Sequence, residues 1–177
     1  LMRVHPAAVI NRTTGENAVV ARVDYEAGIQ TLAEHLRTLG HSRIAFLSGP
    51  EQSRSNQDRQ RGLEQYRASH ADVEIVEIPT GSGFDDGHRS WEAVRDAGAS
   101  AVMAFNDLVA LGLIGRLAEE GIRVPEDISV AGFDNIPFAQ YSSPSLTTMA
   151  VDLGEVGASA WRDLRQEIEG AERREPS

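Results

Sequence analysis

The 177 residues carry 17 Lys and Arg against 27 Asp and Glu, a formal net charge of −10 that repels phosphate backbones and argues against nucleic-acid binding by this chain itself. An apolar share of 41% and a charged share of 25% are those of an ordinary globular chain, long enough to bury a core as one domain or two small lobes. Cysteine is absent, which excludes disulfides, a thiolate nucleophile and Cys-ligated zinc. The longest nearly apolar run, residues 108–115, is far too short to cross a bilayer, and the opening Leu-Met-Arg-Val-His-Pro shows no charged-then-apolar signal pattern. A soluble, cytoplasmic protein is expected.

In chain order, short runs rich in Val, Ile and Phe predict strands at 7–10, 44–47, 73–78, 101–105 and 128–133. Helical spacing places Ile29, Leu32, Ala33, Leu36 and Leu39 on one face, with Gly40 as the stop. Further helices are expected at 58–68, at 86–97 ending on Gly98, and at 107–120 ending on Gly121, the last capped by Asn106. Leu153, Val156, Ala160, Leu164 and Ile168 mark a final helix at 153–168, and the charged tail 167–177 is expected to fray. Continuous apolar strands alternating with helices predict an α/β fold: a parallel sheet with helices on both faces. Ligands of such sheets gather at the carboxyl ends of the strands, so the functional residues belong in the loops that begin there.

Catalytic and cofactor motifs fail on spacing. Gly81-Ser-Gly83-Phe-Asp-Asp-Gly87 follows a strand, but its third glycine comes four residues after the second instead of three. It reads as an ordinary flexible loop, and no cofactor is expected. Ser48 lacks the glycine two residues earlier that a nucleophile elbow needs. The five histidines are scattered, and Asp85, Asp86 and His88 together read as an acidic helix start, so no metal site is expected. No nucleophile–base pair can be assembled, and the chain is not expected to be an enzyme.

Polar residues at strand ends remain. Arg59 lies near the start of the helix after strand 44–47, Asn106 directly follows strand 101–105, and Asp134 directly follows strand 128–133. A guanidinium fork, an amide and a carboxylate converging on one crevice can grip vicinal hydroxyls. The same three residues also have plain roles open to them, as an ion pair, a helix cap and a turn.

The order and wording of several blocks resemble the effector-binding domain of the LacI/GalR family of bacterial transcription regulators. They are Val23-Asp24-x-x-x-Gly28, His35-Leu36, Leu39-Gly40-His41-x-Arg43-Ile44-Ala45-Phe46-Leu47-Ser48-Gly49-Pro50 and Arg59-x-x-Gly62. Next come Ala104-Phe105-Asn106-Asp107-x-x-Ala110-x-Gly112 and the stretch from Gly121 through Pro125, Gly132 and Asp134 to Pro137. Tyr141-x-Ser143-Pro144-x-Leu146-Thr147-Thr148 closes the series.

The resemblance implies a periplasmic-binding-protein-like fold of two α/β lobes with a small effector between them, and dimerisation through those lobes. It implies effector contacts by Arg59, Asn106, Asp134 and, from the other lobe, Asn11, with Ser53, Ser55 and Phe84 in the pocket-lining loops. Residues 24–149 are expected to form one complete lobe. Residues 1–23 and 150–177 are expected to supply a partial second lobe, whose strand 7–10, segment 146–151 and final helix lack covering neighbours. The family's helix-turn-helix and hinge helix have no counterpart in this chain, so operator DNA is expected to be bound only through a domain outside it. The expected function is effector sensing, with a sugar or polyol as ligand and a purine or sugar phosphate as alternatives, in a homodimer without membrane contact. The rival expectation is a stand-alone periplasmic sugar-binding protein of a transport system.

Overall fold

The structure is a computed structural model that describes residues 7–10, 18–21 and 23–172. It divides into two units, Tyr25–Val151 and the combination of Leu1–Asp24 with Asp152–Ser177.

The first unit is a five-stranded parallel sheet. Its strands are β3 (Arg43–Ser48), β4 (Glu74–Pro79), β5 (Ala101–Ala104), β6 (Ser129–Asp134) and β7 (Thr147–Ala150), in the order β4-β3-β5-β6-β7. The helices are α1 (Tyr25–Thr38), α2 (Arg54–Ser69), α3 (Phe84–Arg89), α4 (Trp91–Asp96) and α5 (Asp107–Glu119). Both faces of β3 are buried. Ile44 and Phe46 join Ile29, Leu32, Leu36, Leu63, Met103 and Phe133 in a core beneath α1 and α2. Ala45 and Leu47 join Val94, Val102, Val109, Leu113, Leu117 and Val130 in a second core beneath α5. This two-sided burial is why the strands read as unbroken apolar runs. The predicted helix stops hold: Gly40, Gly98 and Gly121 all take positive φ, of 94°, 62° and 70°.

Three expectations are corrected. Segment 146–151 was expected to lie uncovered with the partial lobe. Residues 147–150 instead form β7, which pairs with β6 in the register Ala131↔Thr147 to Asp134↔Ala150. The helix expected at 86–97 is two helices broken at Ser90, whose hydroxyl donates to the Gly87 carbonyl at 2.7 Å. A serine hydroxyl competing for a helix carbonyl is a known local bend. The close approach of α3 to α5 explains the glycines there, since a Cβ on Gly87 would lie 1.9 Å from the Val109 carbonyl oxygen and one on Gly112 2.0 Å from that of Phe84.

In the second unit, β1 (Ala7–Ile10) pairs in parallel with β2 (Ala18–Ala21), and α6 (Leu153–Glu172) lies alongside both. The third correction is here: strand 7–10 has a neighbour. Val156, Ala160, Leu164 and Ile168 fall on the less exposed side of α6, while Leu153 and Trp161 are exposed. No helix among the described residues is long and apolar enough to cross a membrane.

Candidate functional site

The carboxyl ends of β3, β5 and β6 bring Arg59 and Asp134 together. Arg59 stands in the second turn of α2, which seats tightly on α1 because Gly62 has no side chain: a Cβ there would lie 2.7 Å from the Glu26 carbonyl oxygen. The Arg59 side chain is 2% exposed. Its guanidinium lies over the rings of Phe133, Tyr25 and Phe105, with the carbon 4.0, 4.3 and 4.6 Å from the centroids. Aromatic faces of this kind stabilise a cation electrostatically while excluding water. Nη1 donates to the Ser55 carbonyl at 2.9 Å, and the buried Nε has no hydrogen-bond partner among the described residues. Burial pushes the group down to about 10, against the pull of Asp134, Tyr25 and Asp58, so it stays charged at neutral pH.

Asp134 ends β6 and is the acidic partner. Its Oδ1 lies 3.9 Å from Arg59 Nη2, an ion pair too long to be a hydrogen bond. Each group therefore keeps hydrogen-bonding capacity for a third party. Asp134 and Asn135 both take positive φ, 108° and 55°, a region that non-glycine residues visit at a cost and in which Asp and Asn are enriched. Burial raises the Asp134 carboxyl to about 6. Arg59 opposes that rise and the nearby Asp107 adds to it.

Asn106 is committed elsewhere. Its Oδ1 accepts from the Val109 N–H at 2.9 Å, capping α5, and its Nδ2 donates to the Ser82 carbonyl at 2.9 Å. The loop expected at 81–87 is a loop only over 81–83, since α3 begins at Phe84, and the second bond of Asn106 holds its Ser82 carbonyl. Asp86 Oδ2 also accepts from the N–H groups of Ser82 and Gly83, at 3.0 and 2.9 Å, so the loop is tied from both sides. Ser53 and Ser55 bond to each other through their hydroxyls at 2.8 Å at the start of α2. Phe84 opens α3 and is half exposed, while Asn11 lies outside the described residues. Among the described residues no group of three His, Asp or Glu could hold a metal ion.

Sequence reasoning missed four supporting side chains. Tyr25, Phe105 and Phe133 form the cage around Arg59, and two of them stand at strand ends where an aromatic could have been noticed. Asn56 is buried, and its Oδ1 accepts from the Gly49 N–H at 2.8 Å, fixing the loop after β3. A Cβ on Gly49 would lie 2.5 Å from the Phe105 ring, so this glycine leaves room for the ring beneath Arg59.

Similar proteins place the chain in a family. The periplasmic binding protein-like domain matches residues 33–177. The HTH-type transcriptional repressor PurR of Vibrio vulnificus (strain CMCP6) is 35% identical over 156 residues, covering 83% of this chain and 45% of that protein. A LacI family transcriptional regulator from Enterococcus faecium, solved with bound ribose, superposes with a TM-score of 0.83 at 28% identity, over 93% of this chain and 62% of that one. A LacI family regulator from Arthrobacter sp. FB24, solved in complex with lactose, gives 0.79 at 27% identity, over 94% and 63%. The chain thus spans about half the length of the curated relatives it matches. It belongs to the periplasmic binding protein-like domain family, and it is similar in sequence to HTH-type transcriptional repressors and in fold to LacI family transcriptional regulators.

Proposed function

We propose that the chain senses a small polyhydroxylated effector, a sugar or polyol, for a bacterial LacI-type transcription regulator, without catalysis. The observation that carries this reading is the Arg59–Asp134 pair: a buried, aromatic-caged guanidinium and a half-open carboxylate too far apart to satisfy each other. One donor fork and one acceptor at that spacing suit adjacent hydroxyls, which both donate and accept. The ribose and lactose bound to two similar regulators support the same ligand class. Ser53, Phe84, Asn106 and, from the residues not described, Asn11 complete the proposed contacts, Asn106 by holding the 81–83 loop in place. The regulator reading carries with it a cytoplasmic homodimer that reads operator DNA through a domain outside this chain. The rings of Phe138 and Tyr141, 70% and 77% exposed, are apolar surface that self-association would cover.

Calorimetric titration of the chain with ribose, lactose, a set of polyols, purines and sugar phosphates tests the reading. A sugar or polyol should bind, and should lose at least about tenfold in affinity on Asp134→Asn, the scale of one charged hydrogen bond. Binding of a purine or sugar phosphate alone would overturn the ligand class. Sugar binding indifferent to both Arg59→Ala and Asp134→Asn would overturn the site.

A further inference from the structure

Asp107 has no exposed surface, and its two oxygens are spent away from its own helix. An acid in the first turn of a helix ordinarily faces the free N–H groups there. Here Oδ2 accepts from the Ile136 N–H at 2.8 Å and Oδ1 from the Thr148 hydroxyl at 2.6 Å. The Thr148 oxygen in turn accepts from the Asn135 N–H at 3.2 Å. The two N–H groups that follow Asp134 are therefore both held, one by Asp107 directly and one through Thr148. Gly132 completes the fit, since a Cβ there would lie 2.2 Å from Asp107 Oδ1. A turn with two non-glycine residues at positive φ persists only where its surroundings over-determine it, and this closed ring of bonds does so.

We infer that Asp107 and the Thr148 hydroxyl act as a positioning pair for effector binding: they clamp the Asp134–Asn135 turn and so hold the Asp134 carboxylate beside Arg59. This rests on the reading of Asp134 as a ligand contact. Asp107 touches no ligand in this account, and acts through the turn and through its charge, which faces Asp134 from α5 as Arg59 faces it from α2.

The test is a pH titration of the Asp134 carboxyl carbon by NMR in the ligand-free 177-residue chain, so that its failure is separate from any failure of sugar binding. Wild type and Thr148→Ser, which keeps the hydroxyl, should titrate alike. Thr148→Val and Asp107→Asn should both titrate lower than wild type, because the turn loosens toward water in the first and a neighbouring negative charge is lost in the second. Circular dichroism identifies variants that keep the fold. If Thr148→Val unfolds, Asp107→Asn and Thr148→Ser decide the matter. An Asp134 midpoint unmoved in the folded Asp107→Asn chain, or a Thr148→Ser midpoint displaced from wild type, would overturn the inference.

Discussion

Arg59 and Asp134 face each other across 3.9 Å with unequal access to water: the guanidinium is 2% exposed and the carboxylate 40%. The cation is sunk among rings and the anion stands at the rim. An exposed pair would contribute little, and a fully buried one would be locked together. This intermediate arrangement leaves a charged acceptor open to a visitor while its counter-charge is already fixed.

Binding and stability should therefore separate at Arg59. Removing one partner of a fully buried ion pair is costly because the other charge is left unpaired, but here the carboxylate that remains is 40% exposed and is hydrated instead. Arg59→Met keeps contact with Phe133, Phe105 and Tyr25 and removes an Nε that has no partner among the described residues. Urea unfolding should change by less than about 1 kcal/mol, whereas sugar affinity should fall at least about tenfold, the roughly 1.5–3 kcal/mol of a charged hydrogen bond. Loss of the fold in Arg59→Met would show that the guanidinium is a structural tie.

The pH dependence of folding and of binding should run in opposite directions. Asp134 is raised to about 6 in the folded chain, against about 3.9 for an unfolded aspartate. The folded state thus holds the proton more tightly, and Asp134's contribution to stability is present below about pH 4 and is lost as pH rises through about 6. An ionised carboxylate is the better hydroxyl acceptor, so affinity should climb over that same interval. Asp134→Asn, which tolerates the positive φ, should raise the melting temperature at pH 7.5 and leave it unchanged at about pH 3.5. Equal effects at both pH values would remove Asp134 as the titrating group.

Much of this was legible because parallel strands announce themselves. Two buried faces give unbroken apolar runs, and such sheets collect their functional groups at the carboxyl ends, which singled out Arg59, Asn106 and Asp134 before any coordinate. What escaped was written in long-range geometry. β7 is Thr-Thr-Met-Ala at a sheet edge, half open to water, and carries no apolar run to notice. β2 is four small residues whose partnership with β1 is a tertiary fact. Asp107 stands in the first turn of a helix, where an acid is ordinary, and its partners Ile136 and Thr148 are 29 and 41 residues away. Asn106 showed its capping spacing, but its bond to Ser82 had no local signature.

The α3–α5 contact should be intolerant of a single methyl group. At Gly87 and Gly112 the added carbon meets backbone carbonyls at 1.9 and 2.0 Å, and backbone cannot rotate aside as a side chain can. Gly87→Ala or Gly112→Ala should each destabilise by about 1–3 kcal/mol or more, the range for overpacking. Gly115, on the same α5 with open space around its Cβ position, is the control, and Gly115→Ala should be neutral or stabilising by a few tenths of a kcal/mol up to about 1 kcal/mol. Urea midpoints that fall equally in all three would point to the helix backbone itself and remove steric contact as the cause.

Residues 25–151 should fold on their own. Every residue of both apolar clusters lies inside that span, from Ile29 through Leu146, and the helices covering the two faces of the sheet come from within it. Among the described residues the edge strands β4 and β7 pair only within this sheet. Edges left open in this way invite pairing between copies, but each is short, and β4 carries Glu74 and Glu77. A fragment of residues 25–151 should therefore unfold in a single cooperative urea transition, with the amides of β3 and β5 protected from exchange about as strongly as in the full chain. The Asp134 carboxyl should titrate in the fragment as it does in the full chain, since Arg59, Asp107 and Thr148 are all retained. A broad, non-cooperative transition would mean that the strand pair and α6 of the other unit are needed for this sheet to form.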